Sequence, residues 1–189
     1  MQSKIDILEM VQQYENIYTS EVEHTSPIKK FLEDFDGEQL FDRKNFTGHV
    51  TASAYVINPQ KDSLLLLRHK AFDRWLQPGG HVDRSDETLL NAALRETKEE
   101  TGINFDNLFL VTDSIFKVDS HSIPANELKK EPPHIHHDIS FLFLCDILEI
   151  NIDKKESTAG RWVPFSDIVN DIDYADLIKK IKRMIKTFN

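Results

Sequence analysis

Cysteine is nearly absent from this sequence. Its one thiol, Cys145, lies inside the apolar run Phe-Leu-Phe-Leu-Cys-Asp-Ile and has no second cysteine to join. A disulfide framework or a cysteine zinc site within one chain is thereby excluded, which fits a reducing compartment. Long hydrophobic runs are missing too. No window approaches the roughly 18 apolar residues of a membrane-spanning helix, and the opening Met-Gln-Ser-Lys-Ile-Asp-Ile-Leu-Glu-Met has no apolar core of a signal peptide. The expectation is a soluble cytoplasmic chain with no membrane partner. Positive charge is in deficit: 23 Lys and Arg against 32 Asp and Glu leave a net charge of -9. Phosphate backbones select the opposite balance, so no nucleic-acid partner is expected. Small anionic substrates stay open, because a bound metal reverses the local field.

What is present suffices for one core with an appendage, at 189 residues and 40% hydrophobic. The organisation expected is a helical N-terminal extension over residues 1–45 and a domain over 46–189. In the extension, Ile5, Leu8, Val11 and Tyr14, or alternatively Ile7, Met10, Tyr14 and Ile17, recur at helical spacing. Ser26-Pro27 reads as a second helix start, followed by the stripe Ile28, Phe31, Leu32 and Phe35, with Gly37 as its stop. Such stripes bury something, either by covering a substrate pocket or by forming a homodimer seam. From Gly48 the pattern turns to strands: Val50–Ile57, Ser63–Arg68, Leu108–Val118 and Ile139–Ile147. A helix is expected from Asp86 to Thr101, stopping at Gly102. Ser166 caps a helical turn, and Tyr174–Phe188 closes the chain as an amphipathic helix, with Leu177, Ile178, Ile181, Ile185 and Phe188 for docking. Strands, a central helix, more strands and a final helix point to an α+β fold or an α/β/α sandwich.

The acidic helix carries most of the chemistry. Residues three and four apart share a helix face, so Glu96, Glu99 and Glu100 converge. Glu87, Asn91, Arg95 and Glu99 form a second series at spacing four, which sets the planar fork of Arg95 among the carboxylates. Leu90, Ala93, Leu94 and Thr97 are expected to pack on the sheet. Like charges at this spacing, near the negative end of the helix dipole, oppose the helix. A hard cation with oxygen ligands, Mg²⁺ or Mn²⁺, removes both penalties. A solvated helix face with Lys98 and Arg95 as partners fits the bare spacing as well. The loop Pro78-Gly79-Gly80 just ahead adds close backbone approach and an exposed carbonyl.

Together these residues resemble the Nudix box, G-x5-E-x7-R-E-U-x-E-E-x-G-U with U a bulky apolar residue. Glu87, Arg95, Glu96, Glu99, Glu100, Gly102 and Ile103 match it. Two positions depart: six residues separate Gly80 from Glu87, with Asp86 at the five-residue spacing, and Thr97 stands at the first bulky position. More loosely, the resemblance runs from Gly48 to Trp162-Val163-Pro164.

It implies an α/β fold, a Nudix-type α/β/α sandwich with a mixed β-sheet. It also implies metal-dependent hydrolysis of a diphosphate linkage in a nucleoside diphosphate derivative or similar small molecule. Carried over by position, Glu96, Glu99, Glu100 and the Gly80 carbonyl hold Mg²⁺ or Mn²⁺. Arg95, Glu99 and Glu100 form the catalytic set. Glu87 supports the helix start or reaches a metal through water. The general base is Glu99, with Glu131 and Glu156 as alternatives. A non-catalytic module that binds nucleotide derivatives is the other reading, although such modules usually have a degraded box and every acid is present here. Isoprenoid diphosphate isomerisation needs a cysteine near the site, which Cys145 in mid-strand supplies poorly.

Further residues have two or more readings. Arg68, Lys70 and Arg74 suit a phosphate or a solvated strand end. Phe72 and Trp75 suit a stacked base or the core. His81 follows Gly80 and is a candidate for touching substrate. His134, His136 and Asp138 alternate and so share one strand face. That face meets solvent, substrate or a metal, with His136 and Asp138 as the substrate candidates.

Overall fold

The computed structural model describes residues 2–127, 130–172, 174–186 and 188. Its strands are β1 (His49–Ile57), β2 (Ser63–His69), β3 (Arg74–Leu76), β4 (Gly79–His81), β5 (Leu108–Leu110), β6 (Lys117–Ile123), β7 (His134–Cys145) and β8 (Ser157–Pro164). They hydrogen-bond in the order β3-β2-β1-β7-β5, with β4 on β1, β6 on β7 and β8 on β2. This is a mixed sheet with flanking helices, as the sequence implied. The helices are α1 (Lys4–Ile17), α2 (Val22–Asp34), α3 (Leu89–Thr101), α4 (Phe165–Ile168) and α5 (Ala175–Ile185). Packing divides the chain into two compact units, Met1–Ser53 with Gly79–Ala93 and Ser114–Phe141, and Ala54–Pro78 with Leu94–Asp113 and Leu142–Asn189.

In the first unit, Ser3 and Asp6 form a reciprocal capping box at the start of α1. The buried face of α1 is Ile7, Val11 and Tyr14, a mixture of the two expected stripes, while Ile5 and Ile17 stay exposed. Helix α2 begins at Val22, four residues before Ser26, and carries Pro27 inside it. A proline lacks only its own N–H, and burial of Ile28, Phe31 and Leu32 holds the turn around it. The helix ends at Asp34, ahead of Gly37, which at φ +56° opens a short 3₁₀ turn instead. Helix α2 packs on α1 and on β6.

Between the two helices Glu15 is buried, accepting from Thr25 Oγ1 and from Lys29 Nζ at 2.6 Å. Burial pushes its carboxyl up, but the Lys29 and Thr25 hydrogen bonds outweigh this and hold it below the ordinary 4.5. A depressed folded value stabilises the fold above the unfolded value and is lost as pH falls through the folded one. Glu15→Gln is therefore expected to cost about 1–2 kcal/mol at neutral pH. In urea unfolding the difference from wild type should vanish under strong acid. A pH-independent difference would remove the ion pair as its cause.

The sheet in this unit pairs β4 antiparallel to β1, with Thr51 opposite His81, Ala52 opposite Gly80 and Ser53 opposite Gly79. Strand β6 pairs antiparallel to β7, with Asp119 opposite Asp138 and His121 opposite His136. Sequence reasoning started the second of these strands at Ile139. The polar stretch His134–Asp138 lacks the apolar run that signals a buried strand, yet it is paired along its length by β6.

In the second unit β2 is central, pairing with β8 along its length, with β3 at its end and with β1 where Ile57 meets Leu64. Strand β8 begins at Ser157, ahead of the apolar pair Trp162-Val163, because Ser157–Ala159 already pair with Arg68 and His69. Helix α5 buries Leu177, Ile178 and Ile181 of the expected docking face, while Ile185 and, beyond the helix, Phe188 are half-buried. Cys145 is buried and opposite Leu108. Among the described residues no helix is long and apolar enough to cross a membrane.

Candidate active site

The loop ahead of α3 shows how the extra residue is accommodated. Asp86 Oδ2 accepts the Asp83 N–H at 2.8 Å, and the Asp86 N–H reaches the Asp83 carbonyl at 3.0 Å. Ser85 donates twice to Asp83 Oδ1. This closed turn buries Asp86 and leaves Glu87 exposed. The inward acid of the loop is thus Asp86, the residue at the five-residue spacing. The turn also delays the helix to Leu89, three residues past its expected start. Thr88 Oγ1 accepts the Asn91 N–H at 3.0 Å and Gln2 Oε1 accepts that of Leu89 at 2.8 Å, so two of the orphan donors at the helix start are satisfied.

From Leu94 onward α3 belongs to the second unit. Thr97 is fully buried, as its packing position requires, while Leu94 is only half-buried. In the first unit Leu89, Ala92 and Ala93 are fully buried and Leu90 is half-buried. The buried stripe is thus shifted from the expected one. Gly102 at φ +72° ends the helix, its N–H on the Lys98 carbonyl at 2.9 Å. The segment 151–153 satisfies the last carbonyls: Asn151 N–H donates to Thr101 O at 2.7 Å and Asp153 N–H to Glu100 O at 3.0 Å. The acidic end of α3 is therefore capped by protein backbone, and its side chains are held in place.

Two of those side chains meet on one guanidinium: Arg95 Nη1 lies 2.9 Å from Glu96 Oε1 and 3.2 Å from Glu99 Oε2. Glu100 is buried, the Glu96 side chain is 16% exposed and that of Glu99 58%. Burial pushes the Glu96 carboxyl above its ordinary value; Arg95 opposes this, and the charges of Glu99 and Glu156 add to it. Arg95 thus serves two carboxylates at once. The carboxylates offer only oxygens, the set preferred by Mg²⁺ and Mn²⁺, so the residues present fit such an ion.

Of the alternative bases, Glu156 is close enough for its charge to act on Glu96, whereas Glu131 is paired with Arg43 at 3.0 Å. Arg68 is paired with Asp73 at 2.7 Å, and Lys70 Nζ is bound to the carbonyls of Lys154 and Lys155. Two of the three cations that suited a phosphate or a solvated strand end, Arg68 and Lys70, thus have partners in neighbouring loops. Trp75 is half-buried, with the Arg161 guanidinium 4.4 Å above its ring.

The face shared by His134, His136 and Asp138 is turned largely inward, with His134 and Asp138 buried and His136 half-buried. Asp138 is buried and accepts from Thr51, Ser53 and Ser140 hydroxyls at 2.9, 2.8 and 2.7 Å. A carboxylate saturated in this way ties β1 to β7 and has little capacity left for substrate. His81 and His136 lie in a group of imidazoles with His49 and His134. Sequence reasoning passed over His49 and Ser53. The signal was there: His49, Thr51 and Ser53 put polar groups at every second position of an otherwise apolar strand.

A family model described as NUDIX domain matches residues 47–186. The chain belongs to the NUDIX domain family. This NUDIX chain is 38% identical over 80 residues to an m7GpppN-mRNA hydrolase of Danio rerio, a match covering 40% of the chain but only 26% of that relative. It is 27% identical over 117 residues to the asymmetrical bis(5'-nucleosyl)-tetraphosphatase of Caenorhabditis elegans, covering 60% of the chain and 78% of the relative. The solved binary complex of a C. elegans Ap4A hydrolase shares the fold at a TM-score of 0.53 and 23% identity, covering 74% of this chain and 96% of that one.

Proposed function

We propose that this NUDIX chain hydrolyses a diphosphate linkage in a nucleoside diphosphate derivative, with Mg²⁺ or Mn²⁺ as cofactor. The observation that carries the reading is the pair of carboxylates Glu96 and Glu99 braced by Arg95, with the buried Glu100 on the next turn of the same helix. The names of the relatives, an mRNA cap hydrolase and a dinucleoside tetraphosphatase, support a nucleotide-derived substrate.

Glu96, Glu99 and Glu100 would hold the metal. When bound, such an ion neutralises diphosphate oxygens and makes a water more acidic. The protein's own part is positional and basic. Arg95 fixes Glu96 Oε1 and Glu99 Oε2 through one nitrogen. Glu99 Oε1, on a largely exposed side chain, is then available to take a proton from water. Glu156 keeps the field at Glu96 negative, so the proton-accepting end of the site stays basic.

The test is a panel of nucleoside triphosphates, dinucleoside polyphosphates, ADP-sugars and capped RNA, with Mg²⁺ and Mn²⁺, followed by phosphate release. Turnover of at least one nucleotide derivative is expected, with complete loss on chelation by EDTA and recovery on adding back the ion. Tight binding of a nucleotide derivative with no hydrolysis under either metal would replace the enzyme by a binding module.

A further inference from the structure

The first unit holds a group of histidines that the hydrolytic reading does not use. His49 on β1, His81 on β4 and His136 on β7 each present one ring nitrogen, and these nitrogens lie within 4.8 Å of one another. Ring centroids are 5.0 Å apart for His49 and His81, 4.7 Å for His49 and His136, and 5.2 Å for His81 and His136. His134 joins them: its Nε2 is 3.2 Å from His136 Nε2 and its ring is 5.1 Å from that of His49.

Three features separate this group from ordinary ring packing. His49 is fully buried, and its Nε2 has no hydrogen-bond partner. A buried, unsatisfied imidazole nitrogen is costly and calls for an electrophile. In two of the rings the other nitrogen faces a backbone carbonyl, His49 Nδ1 at 3.5 Å from Asn45 O and His134 Nδ1 at 2.9 Å from Pro132 O. Carbonyls only accept, so these Nδ1 atoms carry the protons and the Nε2 lone pairs of neutral rings point elsewhere. That second contact is the one typical of metal-bound imidazoles. Finally, the carboxylates nearby are committed, Asp138 to three hydroxyls and Asp119 to His121 at 2.9 Å. Burial and the surrounding imidazoles push His136 down to about 2, keeping it neutral.

We propose that His49, His81 and His136 form an all-nitrogen site for a borderline transition ion, Zn²⁺ first, with His134 Nε2 as a fourth donor. Tetrahedral Zn–N bonds of about 2.0–2.1 Å place adjacent donor nitrogens roughly 3.3 Å apart, and the His134–His136 pair is at 3.2 Å. Nitrogen donors select Zn²⁺, Co²⁺ or Cu²⁺ over the oxygen-seeking Mg²⁺, so this ion differs from the one assigned to the carboxylates. With ligands on three strands, it would pin β4, and with it the glycine loop, to β1 and β7.

The test uses the full chain, stripped with a chelator, and Zn²⁺ alone, titrated against a chromophoric zinc indicator. Wild type is expected to take up one tight equivalent. A Glu99→Gln, Glu100→Gln double variant should retain it, while His136→Asn and His81→Asn should each lose at least 100-fold in affinity. Co²⁺ should give the intense visible bands of a four-coordinate nitrogen site in wild type and lose them in both histidine variants. No tight uptake by wild type, or equal uptake by the histidine variants, would overturn the site. So would loss in the glutamate variant alone. If His136→Asn fails to fold by circular dichroism, His81→Asn decides, because His81 is half-exposed.

Discussion

Glu99→Gln is expected to lower turnover by about 10²–10⁴-fold, and Glu100→Gln by at least as much, with the fold intact in both. The substitution keeps the shape and one acceptor oxygen but removes the charge that holds a cation and accepts a proton. Glu99 is largely exposed, so its loss should move stability by less than about 0.5 kcal/mol. Glu100 is buried, but its backbone is held independently by the Asp153 N–H, so the helix end persists. The measurement is kcat and KM with Mg²⁺, beside thermal unfolding. Undiminished kcat in both variants, with the substrate that wild type turns over, would refute the assignment of these carboxylates. A fall in activity matched by a fall in melting temperature would instead mark them as structural.

Gly79→Ala is expected to destabilise the protein by about 3–5 kcal/mol. Gly79 has φ +155°, a conformation L side chains rarely adopt, and a Cβ there would meet Ser53 Oγ and lie 2.6 Å from Ser53 Cα. Backbone cannot give way as a flexible side chain can. Moving Ser53 would also break its hydrogen bond to the buried Asp138. Gly37→Ala is the control: φ is +56° but nothing lies within 4 Å of a Cβ, so only the dihedral penalty of about 1–2 kcal/mol applies. Urea unfolding of the two variants separates these terms. Equal, small losses would show that β1 and β4 do not approach closely at Gly79.

The acidic end of the box was legible because its chemistry is local. Spacing along one helix puts Glu96, Glu99 and Glu100 together, and Arg95 reaches two of them without help from any other element. The loop end was less so. Whether Asp86 or Glu87 turns inward depends on the hydrogen-bonded turn Asp83–Asp86, which the count of intervening residues does not specify. The stripes of α1 and α2 announced burial but not the partner, since periodicity says nothing about which surface completes the contact.

Strand pairing was the least accessible, because it joins residues far apart in sequence. The polar positions of β1 and β7 look unremarkable strand by strand. Paired, they become a buried hydroxyl–carboxylate hub at Asp138 and a cluster of imidazoles. Lys70 shows the reverse: a cation that reads as a phosphate ligand is consumed by the carbonyls of Lys154 and Lys155.

The sequence alone determined the family, the fold class and the spacing of the acids along α3, because those rest on periodicity and on fixed spacings within one helix. Only the tertiary structure decided that Asp138 is a structural acceptor, that Arg68 and Lys70 are occupied, and that His49, His81 and His136 meet. Each of those depends on long-range pairing of β1, β4 and β7, or on loop closure against β2. Such contacts are set by how distant segments share burial and hydrogen bonds, which no local pattern encodes.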